Sequence, residues 1–206
     1  MDPARDPLDA ARLRVADRLR ALAAHLATGE LGVDELDDLE ALLAPLTPEV
    51  GTGPASTWFG RAVRAGEASA SGHDRHPFGS GQSAVFPPLT MVVDGSRLVA
   101  STRLGAAWEG PPGLVHGGFL AAAFDMACST LAAALLGPSV TRTLTTRYLR
   151  PTFLDADLRY EIEAGPIEGR LVEIRGRLFA DDAVTLRGSA QFASLDAGRY
   201  RDRRPG

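Results

Sequence analysis

At 206 residues, 45% of them hydrophobic and 23% charged, the chain can form one globular domain with material to spare. A net charge of −4 argues against a nucleic-acid or anionic-membrane surface. One cysteine, Cys128, excludes an internal disulfide and fits a reducing compartment.

The N-terminal stretch MDPARDPLDAARLRVADRLR has no apolar signal core, so a cytoplasmic location is expected. Residues 1–50 read as a helical extension. Leu8, Ala11, Val15, Leu19, Leu22 and Leu26 recur at three-to-four spacing, predicting an amphipathic helix. Val33, Leu36, Leu39 and Leu43 predict a second one, ended by Pro45 and Pro48. The extension holds eleven Asp or Glu against five Arg, the wrong sign for a helix that reads DNA. It is expected to pack on the core, cover a site or assist assembly.

Residues 51–88, rich in Gly, Pro and Ser, read as a linker with a short helix near 57–66. His73 and His76 lie here. Their spacing invites a metal reading, but no helix and no third ligand accompany them, so no metal is expected. The loop could instead lie over a ligand pocket, lined by Phe78 and Phe86.

From residue 89 the pattern turns to strands. LTMVVDGSRLVASTRL predicts a hairpin turning around Asp94-Gly95. A long apolar helix follows, then strands near 141–149, 156–164, 170–180 and 183–194, with a turn at Asp181-Asp182. One apolar helix and a largely antiparallel sheet make an α+β arrangement over residues 89–195. The basic end, 196–206, reads as a flexible tail.

The helix, introduced by GPPGLVHGG, holds one misfit, Asp125. Burying an unpaired carboxylate is costly. Residues 114–136 are nearly long enough to span a bilayer. Asp125 would then lie near its centre, at about 2.5–3.5 kcal/mol, so a buried helix in a soluble protein is expected and no membrane partner. Gly117 and Gly118 clear side chains from the helix start, whose first N–H groups lack intrahelical partners and could bind a developing oxyanion. His116 adds a possible donor. Asp125 lies eight residues beyond Gly117, roughly 12 Å along the axis. A base or nucleophile and an oxyanion donor must both reach one carbon. If both act, the site is composite, with Asp125 of one subunit meeting His116-Gly117 of another. The bland alternative is a loop-to-helix turn and a carboxyl neutralised by a buried neighbour.

EGPPGLVHGGFLAAAFDMA (109–127), followed by TRTLTTRYLRP (141–151) and IEGRLVEIRGRLF, resembles the PaaI-like hotdog acyl-CoA thioesterases. The resemblance covers about 89–195. It implies a hotdog fold, an antiparallel sheet wrapped around one long central helix, with residues 1–50 as a helical extension. It implies a thioester hydrolase releasing CoA and a carboxylic acid. Gly117 would give its N–H to the thioester oxygen, His116 would orient or polarise that oxygen, and Asp125 would be nucleophile or general base. Thr141 stands where the family places a Ser or Thr that holds the water or carboxylate, with Thr143, expected on the same strand face, as second choice. Relatives often carry Asn six residues before the His. Here that position is Gly110, and neighbouring Glu109 could contribute instead.

Gly118 belongs with the substrate-binding candidates, as do Arg147, Arg150 and Arg170, whose guanidiniums suit CoA phosphates. Cys128 shares the Asp125 helix face and reads as a small apolar filler rather than a nucleophile. Phe119, Phe124 and the Ala-rich face suggest apolar acyl groups. Thioesters need no metal: a carboxylate, a water and an oxyanion donor suffice, so no cofactor is expected. The expected partners are an acyl-CoA or acyl-carrier thioester and a second copy, as homodimer or dimer of dimers. Two alternatives stand beside hydrolysis, a non-catalytic acyl-CoA-binding protein and a hotdog enoyl-thioester hydratase or dehydratase.

Overall fold

A computed structural model describes residues 7–29, 31–46, 68–70, 83–84 and 86–195. The expected helix near 57–66, His73, His76, Phe78 and the tail from 196 lie outside the described residues.

Two helices, α1 (Pro7–Thr28) and α2 (Val33–Leu43), precede the sheet. A 3-10 turn at Ala44–Leu46 carries the second past its α-helical end, because Pro45 cannot continue an α-helical ladder. The strands are β1 (Ala68–Ala70), β2 (Thr90–Asp94), β3 (Arg97–Arg103), β4 (Ser139–Tyr148), β5 (Asp157–Glu168), β6 (Leu171–Ala180) and β7 (Ala183–Ser194). They form one antiparallel sheet in the order β1-β2-β3-β5-β6-β7-β4. The three-residue β1 falls in the 51–88 linker, at a place where no strand was expected. The long helix α3 (Gly117–Leu136) lies between β3 and β4 in sequence and packs against the sheet. This is the hotdog arrangement that the resemblance implied.

Alternation fixes which face meets α3. Leu98 and Ala100 of β3, Leu158, Tyr160 and Ile162 of β5, Val172, Ile174 and Leu178 of β6, and Leu186, Ala190 and Phe192 of β7 are buried against it. Turn chemistry fixes the register. Asp94 pairs with Arg97 across a two-residue loop whose Gly95 has φ +55°, and Ala180 pairs with Ala183 around Asp181 and Asp182.

Two glycines interrupt the alternation. Gly176 of β6 and Gly188 of β7 are direct cross-strand partners. The Phe124 ring, fully buried, fills the bare patch they leave: a Cβ on Gly188 would stand 2.7 Å from its Cε1, and one on Gly176 would stand 3.0 Å from its Cε2. Phe124 therefore belongs to the core and holds α3 against the sheet; it does not line an acyl pocket, as the sequence had suggested. Phe86, expected over a ligand pocket, is likewise buried in the core cluster.

The α1 contact face also differs from expectation. Val15, Leu19 and Leu26 of the apolar stripe are exposed, while Ala16 and Arg20, four residues apart, are buried. Arg20 donates to the Ser83 carbonyl and pairs with Asp17, so its guanidinium is satisfied where it is buried. Small Ala16 permits close approach. α1 packs on the 3-10 turn Ala106–Trp108, which leads into the His-Gly-Gly segment. α2 buries no residue among those described.

Strand β4 is the far edge of the sheet. It is exposed almost throughout, including Val140, Leu144 and Tyr148, and its outer row of N–H and C=O groups has no strand beside it among the described residues.

Candidate active site

Backbone pairing aims the start of α3. The 3-10 turn ends in Trp108, whose carbonyl accepts the His116 N–H at 2.9 Å, while the Thr152 carbonyl accepts that of Val115 at 2.9 Å. Isolated bridges pair Glu109 with Val115 and Leu114 with Phe153. The Glu109 carboxylate accepts the Gly113 N–H at 2.6 Å. Glu109 thus ties off the Pro111-Pro112-Gly113 turn.

His116 is the N-cap of α3, with φ −63° and ψ 128°. Its Nδ1 accepts the Gly118 N–H at 3.0 Å. That acceptor role places the ring proton on Nε2, the one imidazole nitrogen left to donate. The ring folds so closely over Gly118 that a Cβ there would meet Nδ1 at 3.0 Å. Phe119 and Leu120 both give their N–H to the His116 carbonyl. Gly117 is left: among the described residues nothing accepts its N–H. One free amide at the positive end of a 20-residue helix is a fitted place for developing negative charge.

Gly110, where relatives often have Asn, backs onto the same segment. A Cβ there would lie 2.8 Å from the His116 Cα, so this backbone has no room for a side chain at that position. The departure is built into the packing of the loop.

Asp125 lies two turns further along α3, half-buried between Phe124 and Met126. Its Oδ1 accepts the Thr141 hydroxyl at 3.1 Å. Burial raises its pKa above the ordinary carboxylate value, and the Thr141 hydrogen bond opposes that rise. The carboxyl is therefore a stronger base than a solvated one, with a hydroxyl holding one oxygen. Cys128, on the same helix face, is fully buried. Burial, then the Asp125 charge, push its thiol well up, which makes it a poor nucleophile.

Thr143 does not share the face of Thr141. Thr141 pairs with Phe192 and Thr143 with Gln191, so Arg142 is an extra residue in a β-bulge. Phe192 faces the core and Gln191 the opposite side, which turns Thr143 away from α3. Arg147 also lies on the outer face, directly across from Arg187. Arg150 is exposed just beyond β4, near the α3 N-terminus. Arg170 sits in the β5–β6 turn, where its carbonyl accepts the Ser194 N–H beside Ser139. That is the opposite end of β4, about 30 Å away at 3.3 Å per residue. Within one protomer, Arg170 cannot join Arg147 and Arg150 on one nucleotide.

Tyr148 was not singled out as a site residue from the sequence. Its hydroxyl donates to the Gly117 carbonyl at 2.7 Å, and its ring lies over the Gly117 Cα, 3.2 Å from where a Cβ would be. The readable signal was an aromatic with a polar tip on the strand that flanks the helix. Phe119 meets the His116 ring edge-on, with centroids 6.0 Å apart. Among the described residues no group of three or more His, Cys, Asp or Glu could hold a metal ion.

Comparison with known proteins agrees with the fold. The family described as the thioesterase superfamily matches residues 112–186. A thioesterase superfamily protein of known structure superposes with a TM-score of 0.66 at 24% identity, covering 88% of this chain and 94% of that one. That match extends well beyond the hotdog core. A variant of the phenylacetic acid degradation protein PaaI from Thermus thermophilus gives a TM-score of 0.50 at 20% identity, over 54% of this chain and 96% of that one. A hypothetical thioesterase with coenzyme A from Streptococcus pneumoniae gives 0.52 at 16% identity, over 54% and 89%. No curated protein sequence matches the chain.

Proposed function

We propose that this chain, which has the PaaI-like hotdog fold, is a thioester hydrolase of the thioesterase superfamily and cleaves acyl-CoA to CoA and a carboxylic acid at a site shared by two subunits. The observation that carries the reading is Asp125: a carboxylate in an apolar helix, its basicity raised by burial, one oxygen held by Thr141. In this account the Gly117 N–H receives the thioester oxygen. Asp125 either removes a proton from the attacking water or attacks the carbonyl carbon itself. The thiolate leaves with little acid assistance.

Both groups ride on α3, roughly 12 Å apart along its axis, so one protomer cannot bring them to one carbon. The open edge of β4 supplies the remedy. Gly117 sits beside Tyr148, and Asp125 beside Thr141. Leu144 and Thr145 lie midway between those strand positions. Antiparallel pairing of two β4 edges about a two-fold axis there would set Thr141 of one copy opposite Tyr148 of the other. Asp125 of each copy would then face the α3 N-terminus of its neighbour, and the exposed Val140 and Leu144 would be covered. The same pairing would carry Arg170 of one copy toward Arg147 and Arg150 of the other, so a CoA nucleotide held by all three needs the dimer. Placement in the cytoplasm, where CoA thioesters are substrates, belongs to the same proposal.

The test is thiol release from a panel of short, long and aromatic acyl-CoA esters. Release of free CoA that disappears in Asp125→Asn supports the mechanism. Full activity in that variant removes Asp125 from it. Tight calorimetric binding of acyl-CoA without thiol release would favour the non-catalytic reading, for which Gly110, with no side-chain carboxamide and no room for one, is the structural motive.

A further inference from the structure

We propose that Tyr148 is a positioning residue that, together with the His116 imidazole, clamps one peptide unit at the head of α3 and so fixes the aim of the Gly117 N–H. The inference rests on the hydrolase reading above and adds a residue to its machinery.

An oxyanion donor is effective because it is held in place before charge develops. Two consecutive glycines are the least suited residues to hold anything, since each lacks the Cβ that restricts φ and ψ. The structure adds restraint from outside the helix ladder. The Gly117 carbonyl and the Gly118 N–H belong to one planar peptide group. Tyr148 donates to its oxygen at 2.7 Å, and His116 Nδ1 accepts from its nitrogen at 3.0 Å. The plane is therefore held at both poles. On its other side, the His116 N–H is fixed to the Trp108 carbonyl at 2.9 Å. The Gly117 N–H lies between these anchors, the one amide of the segment with no acceptor among the described residues. The Tyr148 ring also occupies the space of the missing Gly117 Cβ, a second restraint on the same residue.

The carbonyl bond adds an electronic contribution. A peptide group that accepts a hydrogen bond at its oxygen and donates one at its nitrogen is polarised along a chain of bonds. Tyr148 reaches the site from the edge strand, so any β4 pairing between copies also sets the clamp. Hydroxyl and ring have separable jobs, hydrogen bond and space filling, and Tyr148→Phe removes only the first.

The experiment compares wild type with Tyr148→Phe and Tyr148→Leu in the full-length protein, by steady-state thiol release and by amide hydrogen exchange at Gly117, Gly118 and Phe119. Tyr148→Phe is expected to lower kcat about tenfold while KM stays within about twofold, and to speed Gly118 exchange about tenfold, the loss of one hydrogen bond. Its melting temperature should stay close to wild type, since the ring stays in place and only one hydrogen bond is lost. Tyr148→Leu, which also vacates the ring position, should lower kcat further. Full kcat in Tyr148→Phe, or a fall in kcat matched by a fall in melting temperature, overturns the proposal and leaves the hydrolase reading standing. A wild type that cuts no thioester sinks the hydrolase reading and the catalytic use of the clamp. The exchange measurement then still decides whether the clamp exists: unchanged Gly118 exchange in Tyr148→Phe removes it as well.

Discussion

The contact that sets α3, and with it the height of Asp125, is the Phe124 ring in the bare patch made by Gly176 and Gly188. Gly188→Ala tests it. The added methyl would stand 2.7 and 2.8 Å from the ring carbons Cε1 and Cζ and 2.9 Å from the Thr145 carbonyl oxygen. Carbon atoms in contact prefer about 3.5–4.0 Å, so ring or helix must retreat by nearly 1 Å. Overpacking of this kind costs about 1–3 kcal/mol. Phe124→Leu removes the ring edge that collides. Alone it should cost about 1–2 kcal/mol, short of the 3–5 kcal/mol of truncation to Ala. In the double variant the methyl no longer meets the ring, though the Thr145 oxygen still crowds it. The two changes should therefore fall short of additivity by about 0.5–2 kcal/mol. Urea unfolding of the four proteins measures this. Additivity within about 0.3 kcal/mol would refute the claim that Phe124 and Gly188 share one space.

Asp125→Asn should abolish thiol release and yet stabilise the fold at neutral pH, read as a higher melting temperature. Burial raises the folded-state pKa of Asp125 above its unfolded value. Its contribution to stability is then fully present below the unfolded pKa and is lost as pH rises through the folded one. Activity needs the ionised carboxylate and so should rise with pH over the same window, a slope that kcat/KM profiles will show. Gly117→Pro deletes the free N–H at a helix position that tolerates proline, next to a His116 backbone already extended at ψ 128°. It should cost about 10²–10³ in kcat relative to Gly117→Ala, which keeps the N–H and brings the same Cβ. Gly110→Asn, forced against the His116 Cα at 2.8 Å, should lower the urea midpoint rather than improve catalysis.

The sheet was legible because its strands alternate. Leu158, Tyr160 and Ile162 separated by charged residues leave one reading, and the hairpin at Gly95 and the turn at Asp181-Asp182 announce themselves in composition. The α3 misfit, Asp125, was legible for the opposite reason, a charge where periodicity wants none. The 16-residue step from Asp125 to Thr141 came from the resemblance, and the two do meet in a hydrogen bond. What failed depended on pairing. The bulge at Arg142, which turns Thr143 outward, is invisible until β7 lies beside β4. The role of Phe124 needs the register that sets Gly176 opposite Gly188. On α1 the larger side chains marked the wrong face. A buried arginine satisfied by a distant carbonyl, Arg20 on Ser83, overrode the leucine stripe. Tyr148 went unread because its partner is a backbone carbonyl, which has no signature in the sequence.

The shared site is tested most directly by mixing subunits. Asp125→Asn and Gly117→Pro are each expected to be nearly inactive, and they damage opposite halves of the site. Unfolded together and refolded, they should form mixed dimers in which one of the two sites is intact. Thiol release should then recover to about a quarter of wild type, as random two-fold pairing requires. A refolded mixture that contains mixed dimers and stays as inactive as its parents would contradict the account, because each site would then draw both groups from a single chain.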